Sequence, residues 1–392
     1  MRPLDGITVL TLEHAVSAPF CTRQLADLGA RVIKIERRDG GDFARNYDER
    51  VAGLASYFVW CNRSKESFAL DIKHPEATSI LSKLLSRADV LVQNLTPGAS
   101  SRLGLSYEAL RDKYPKLIVC DISGYGSDGP YRDKKAYDLL IQSESGFLSV
   151  TGSSEEPAKA SIPIADIASG MYAYSNILAA LIQRAKMGTG CHIDISMLES
   201  LTEWMSYPLY YAFDGAAPPK RTGASHATIY PYGPFTAGDG KVVMLGIQNE
   251  REWATFCDKV LHREDLASDT RFYSNSRRVT FRDELKAIIM EAFLPYSAEQ
   301  VIAKLDEAQI ANARMNEIEE VWSHAQLKAR GRWVDVDTPV GKVPALLPPG
   351  QPNTYNPRMD LVPAVGAHTD VILAELGYNS EAVARLRHDC AI

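Results

Sequence analysis

Asp166 stands in Pro163-Ile164-Ala165-Asp166-Ile167-Ala168-Ser169-Gly170, just ahead of a long stretch of helical spacing. Two roles suit a carboxylate there. At a helix start it is a good N-cap, its oxygen accepting from free backbone amides. A carboxylate is also a nucleophile that can form an acyl intermediate with an activated substrate. Its neighbours Ala165, Ala168, Ser169 and Gly170 are small, which opens a path for a ligand. The positive end of a helix would hold the side chain ionised. Spacing alone does not choose between cap and nucleophile.

Cations gather around short turns. Lys34, Arg37 and Arg38 surround the end of a β-like run, and Lys73 follows Leu70-Asp71-Ile72. Arg102 comes after Asn94 and Pro97-Gly98, and Lys134 and Lys135 precede Ala136-Tyr137-Asp138. Each alone is an ordinary surface residue; together at one sheet edge they would make an anion site. His14 is the histidine near that edge. Gly124-Tyr125-Gly126-Ser127-Asp128-Gly129 fits the GxGxxG pattern after a strand, but a dinucleotide site needs its third glycine to open a helix. Pro130-Tyr131-Arg132-Asp133 has no apolar helical period, so the stretch reads as a glycine-rich loop. P-loop, GxSxG and HExxH patterns do not occur.

The elements that must position these groups alternate. Apolar runs at 7–12 and 31–35 flank a helical segment at 19–28 that stops at Gly29, which is one βαβ unit. A helix at 75–87, a strand at 90–93, a helix near 106–113, a strand at 117–122, a helix at 167–186 and a strand at 192–195 continue the pattern. Such alternation predicts an α/β fold with an open, mainly parallel, Rossmann-like sheet covered on both faces. Ligands bind such sheets outside the carboxyl ends of the strands. Composition shifts near Ala216-Ala217-Pro218-Pro219; a hairpin turning at Asp239-Gly240 and helices near 250–261, 280–293 and 298–308 follow. Short strands after Arg330, a Pro-rich run and two helices end the chain. The expected division is 1–215, a smaller α+β domain at 216–330, and 331–392.

The chain is 45% apolar and 23% charged with a net charge of −6, an ordinary globular balance and a poor match to a nucleic-acid binder. Cys21, Cys61, Cys120, Cys191, Cys257 and Cys390 form no ligand spacing, which points to reduced thiols, no metal and a cytoplasmic protein. The N-terminus lacks a signal-peptide pattern, and no stretch reaches the roughly 18 apolar residues of a membrane span.

Four stretches in order resemble a known family. They are Pro3–Leu10 with Asp27–Arg37; Ala88–Gly98; Ser123-Gly124-Tyr125-Gly126 leading to Lys135-Ala136-Tyr137-Asp138; and Asp166 with the helix running into Thr189-Gly190. Gly366-Ala367-His368-Thr369 and Glu375-Leu376-Gly377-Tyr378 fit as well. The whole chain resembles the class III (CaiB/BaiF-type) coenzyme A transferases. The resemblance implies an interlocked homodimer whose discontinuous large domain is completed by the returning C-terminus. It implies an acyl-CoA thioester as substrate, with no resident cofactor, and a nucleophilic carboxylate at Asp166. The implied CoA contacts are Val16, Ser17, Arg37, Leu70, Asp71, Ile72, Lys73, Asn94, Leu95, Thr96, Arg102, Lys135, Ala136, Tyr137 and Asp138.

Two departures narrow the resemblance. The related α-methylacyl-CoA racemases carry a catalytic histidine where this chain has Tyr137, so one of the two bases they need is missing. Formyl-CoA transferases carry a glutamine at the place of Val16, which argues against an oxalate-type acceptor. Thr11-Leu12-Glu13-His14-Ala15 and the stretch Gly41–Asp48 most resemble the succinyl-CoA-dependent dicarboxylate branch. The expected reaction moves CoA from succinyl-CoA to a C4–C5 dicarboxylate such as itaconate, the alternatives being citramalate, mesaconate or glutarate. The acceptor's second carboxylate needs a cation, which Arg45, Arg50 or His14 could supply.

Overall fold

The structure, a computed structural model, describes residues 1–350 and 352–392. It divides into two compact units, one of residues 1–145, 160–205 and 326–392, the other of residues 146–159 and 206–325.

The first unit is built on six parallel strands. They are β1 (Thr8–Leu12), β2 (Arg31–Glu36), β3 (Lys65–Ala69), β4 (Val90–Gln93), β5 (Ile118–Ser123) and β6 (His192–Ser196), in the order β3-β2-β1-β4-β5-β6. The order reverses between β1 and β4, which opens a crevice beyond their carboxyl ends. The helices that position the site are α1 (Ser17–Asp27), α2 (Ser56–Asn62), α3 (Ala77–Leu85), α4 (Asp138–Glu144) and α5 (Ile164–Met187). α3 buries Ile80, Leu81, Leu84 and Leu85 against Leu10, Ile33 and Leu91 of the sheet. Each such side chain contributes about 1.5–3 kcal/mol.

α1 and α5 lie against one another. A Cβ built on Gly170 would come 2.7 Å from the Ser17 carbonyl oxygen, so the backbones touch where only glycine fits. The small residues of the α5 amino end therefore serve helix packing: Ala165, Ala168, Ser169 and Gly170 are all buried. At Ser169 and Gly170 the room expected for a ligand is filled by α1.

β3 was not expected from the sequence, because Lys65-Glu66-Ser67 carries no apolar alternation; its polar side chains face a buried ionic cluster. As an edge strand it is covered by the carboxyl-terminal segment. His368 donates its backbone N–H to the Ser67 carbonyl (3.0 Å), and the Ala69 N–H donates to Thr369 Oγ1 (2.9 Å). The helices Thr369–Glu375 and Ser380–His388 close over the core of α3.

The second unit holds a three-stranded antiparallel sheet of Tyr232–Thr236, Val242–Gly246 and Ala311–Arg314. Its core is aromatic, built around Trp253, Phe256, Phe272 and Phe293. The stretch 146–159 joins it through the Gly223 N–H donating to the Gly152 carbonyl (2.8 Å) and Arg221 Nε donating to the Ser153 carbonyl (2.9 Å). Among the described residues no helix is long and apolar enough to cross a membrane, and no group of three or more potential metal ligands occurs.

Candidate active site

A cleft of about 470 Å³ lies at the carboxyl ends of β1 to β4. His14, Arg37, Arg38, Leu70, Asp71, Ile72, Lys73 and Leu95 line it, so residues from four separated turns meet there. Three cations, Arg37, Arg38 and Lys73, face one concavity in an acidic chain. Asn94 works beneath them: its Oδ1 accepts from the His14 N–H and its Nδ2 donates to the His14 carbonyl, both at 2.9 Å. That clamp joins the ends of β1 and β4. The next turn is strained, with Ala15 in the left-handed region at φ 62°. It leads into α1, whose first turn has Val16 and Ser17 at its start and no side-chain cap.

Asp166 is the third residue of α5, in its first turn, and not the N-cap. Its own amide and that of Ala165 are capped by another carboxylate: Asp138 Oδ1 accepts from Ala165 N (2.8 Å) and Asp166 N (3.3 Å). The Asp166 carboxylate is left with no hydrogen-bond donor among the described residues. Burial, with the Asp138 charge added, pushes its pKa up to about 7. The expectation that the helix end would keep it ionised fails, because a neighbouring carboxylate already occupies that end. Ser169, one turn on, shares a 2.6 Å hydrogen bond with Ser17 and thereby fixes this end of α5 to the start of α1. Rings run from the cleft toward Asp166: His14 stacks on Phe43 at 5.2 Å, Phe43 meets Tyr47 at 5.8 Å, and the Tyr47 hydroxyl is close enough to feel the Asp166 charge.

Set beside known proteins, the chain matches one family over nearly its whole length. Residues 4–369 match the model of CoA-transferase family III. The chain belongs to CoA-transferase family III. It is 34% identical to the human succinyl-CoA:glutarate CoA-transferase, over 98% of this chain and 89% of that one. It is 32% identical to a succinyl-CoA:mesaconate CoA-transferase of Haloarcula hispanica, over 86% and 87% of the two chains. A crystal structure of a CaiB/BaiF family protein from Brucella suis superposes with a TM-score of 0.84 at 33% identity, covering 96% of this chain and 99% of that one. The protein is therefore an enzyme, a CoA-transferase acting on CoA thioesters.

Not every residue expected at the transferase site is free to serve there. Arg45 is committed to Glu36 by two bonds, Nη2 to Oε1 at 2.7 Å and Nε to Oε2 at 2.8 Å, and its guanidinium lies 3.6 Å over the Phe58 ring. It cannot also hold an acceptor carboxylate. His14 lines the cleft, but burial lowers its pKa more than nearby Asp42 raises it, so the ring is neutral at pH 7. It supplies a hydrogen bond and no charge. Arg50 is exposed and forms no ion pair among the described residues. Lys34, grouped with the strand-end cations in the sequence, is fully buried between Asp42 (2.8 Å) and Glu13 (3.3 Å). Arg102 lies outside the cleft lining and folds onto its own turn, its Nη1 2.9 Å from a Cβ built on Gly98. Thr96 is exposed beyond Leu95, and Lys135, Ala136 and Tyr137 lie on the loop leading into α4. Gly124 abuts Ala136 on that loop, and residues 124–135 form bends and turns where a dinucleotide motif would need a helix. Asp138, expected to touch CoA, has both carboxylate oxygens engaged by protein donors.

Sequence reasoning missed the ionic floor of the cleft. Glu13 accepts from Lys65 Nζ (2.6 Å) and Thr22 Oγ1 (2.6 Å), and Asp42 accepts from Ala15 N (3.1 Å) and Ala44 N (2.9 Å). It also missed Gln142, fully buried in α4. The available signal was spacing: Asp138 and Gln142 stand four apart, on one helical face.

Proposed function

We propose that the protein transfers CoA from succinyl-CoA to a five-carbon dicarboxylate through a covalent intermediate on Asp166. The observation that carries the reading is an Asp166 carboxylate with no hydrogen-bond donor among the described residues, its charge felt by Tyr47 at the end of a ring series that starts at His14 in the cationic cleft. A carboxylate with no donors is a stronger nucleophile once ionised, since no hydrogen bond must break before it attacks. Its oxygen adds to the thioester carbonyl, the C–S bond breaks, and a mixed anhydride and CoA thiolate result. The thiolate attacks the aspartyl carbonyl, releasing succinate and leaving an aspartyl-CoA thioester. The acceptor carboxylate then displaces CoA to give a new anhydride, and the thiolate returns to the acceptor carbonyl, freeing Asp166.

Arg37, Arg38 and Lys73 neutralise the phosphates of CoA in this reading, with Val16, Ser17 and the stretch Leu70–Ile72 forming the walls. The acceptor's far carboxylate falls to Arg50, because Arg45 is engaged and His14 is neutral. The relatives named for glutarate and mesaconate support a five-carbon diacid, the class to which itaconate also belongs. The working form is an interlocked homodimer in the cytoplasm. The test is a panel of acids with succinyl-CoA, read as thioester products by mass spectrometry. Glutarate, mesaconate or itaconate should be converted and pentanoate should not; equal use of pentanoate would refute the dicarboxylate reading.

A further inference from the structure

We propose that Gln142 and Asp138 form a hydrogen-bond relay that positions Asp166, with Gln142 a positioning residue of the transferase site. The inference rests on the nucleophile reading above and names what holds that group. The chain of bonds is continuous. The Ala160 N–H donates to Gln142 Oε1 (2.9 Å), Gln142 Nε2 donates to Asp138 Oδ2 (2.7 Å), and Asp138 Oδ1 accepts from Ala165 N and Asp166 N. Its oxygen faces an N–H donor and its nitrogen a carboxylate acceptor, so the Gln142 amide has one favoured orientation. The relay staples the chain leading into α5 to the face of α4 at both ends of the segment 160–166. Among the described residues, these two are the hydrogen-bond partners of the buried Gln142 side chain.

The relay also fixes where a negative charge stands. The titratable groups facing Asp166 are Asp138 from α4 and Tyr47 from the aromatic rim, while α1 presents the uncharged Ser17. The α5 amides and Gln142 hold the Asp138 carboxylate in place beside Asp166 by donating to both of its oxygens.

Substitutions separate this from a general structural role. Gln142→Leu removes both relay bonds while keeping a buried side chain; kcat should fall about 10–100-fold with KM for succinyl-CoA little changed. Asp138→Asn sets an NH₂ group against the Gln142 NH₂ and should cost a similar factor. Adding Gln142→Glu to Asp138→Asn restores the donor–acceptor match and moves the charge one helical turn from the α5 amides. That double variant should recover most of the lost kcat. Carbodiimide labelling of Asp166 against pH, read by peptide mass spectrometry, should show the labelling midpoint moved to lower pH in the double variant. Wild-type kcat and midpoint in Gln142→Leu, or a double variant no better than Asp138→Asn, would overturn the relay. A wild-type enzyme that forms no Asp166 adduct from succinyl-CoA would instead refute the nucleophile, and the labelling midpoint would still read the relay.

Discussion

Glu13 accepts from two ammonium groups and two hydroxyls: Lys65 at 2.6 Å, Lys34 at 3.3 Å, Thr22 at 2.6 Å and Thr11 at 2.9 Å. Asp166 accepts from none among the described residues and faces another aspartate. Both carboxyls border α1, Glu13 through Thr22 and Asp166 through the Ser169–Ser17 bond. Burial raises both pKa values. For Glu13 the lysines overcome it and leave the group at about 2; for Asp166 the Asp138 charge adds to it and leaves the group at about 7. Partners, not depth, decide the state of a carboxyl. Around Glu13 buried charge holds strand ends together; around Asp166 a carboxyl is left without a donor among the described residues.

The largest expected effect is on catalysis. Asp166→Asn should lower transferase turnover by at least about 10³-fold, measured as thioester exchange from succinyl-CoA. Substituting the other carboxyl should act on stability. Glu13→Gln leaves the buried Lys65 without its carboxylate partner and Lys34 with Asp42 alone, and should cost about 3–5 kcal/mol of unfolding free energy at pH 7 in denaturant titrations. If the variant were as stable as wild type, the ionic floor would not be holding the strand ends.

The pH dependence separates the two carboxyls further. The Glu13 pKa is depressed in the fold, so its contribution is present above its ordinary value of 4.5 and is lost as pH falls toward about 2. The Asp166 pKa is raised in the fold, so the folded state holds the proton more tightly than the unfolded chain. Stability therefore declines as pH rises from 3.8 to about 7, and the cost is full above that window. Asp166→Asn should consequently be more stable relative to wild type at pH 8 than at pH 4 by about 4 kcal/mol, a stability gain at the expense of function. In the wild-type enzyme, kcat/KM should rise through an acid limb centred near pH 7, where Asp166 ionises. The smallest effect belongs to Arg50→Ala, which should raise the dicarboxylate KM about tenfold and leave the KM for succinyl-CoA unchanged.

Much of this was legible in the residues. Arg31-Val32-Ile33-Lys34-Ile35 announces a buried parallel strand by its apolar run, and Asp166 stands out by its neighbours. Lys65-Glu66-Ser67-Phe68-Ala69 announces nothing, because a strand facing buried ions has no apolar period. Polar residues in the sequence look like surface: Lys34 and Arg45 both read as available cations, and only their partners across the fold show them engaged. Gly170 reads as room for a ligand and is room for α1. Residue type and spacing carry a helix or a strand; the use of a charge depends on groups distant in sequence, such as Lys65 on Glu13.

The central claim is that Asp166 becomes covalently joined to the transferred group. The direct measurement incubates the protein with succinyl-CoA, cleaves the adduct with hydroxylamine and maps the resulting hydroxamate by peptide mass spectrometry. The hydroxamate is expected on the peptide containing Asp166, and none in Asp166→Asn. Turnover that proceeds in the wild-type enzyme with no hydroxamate at Asp166, or with the label on another carboxylate, would contradict it.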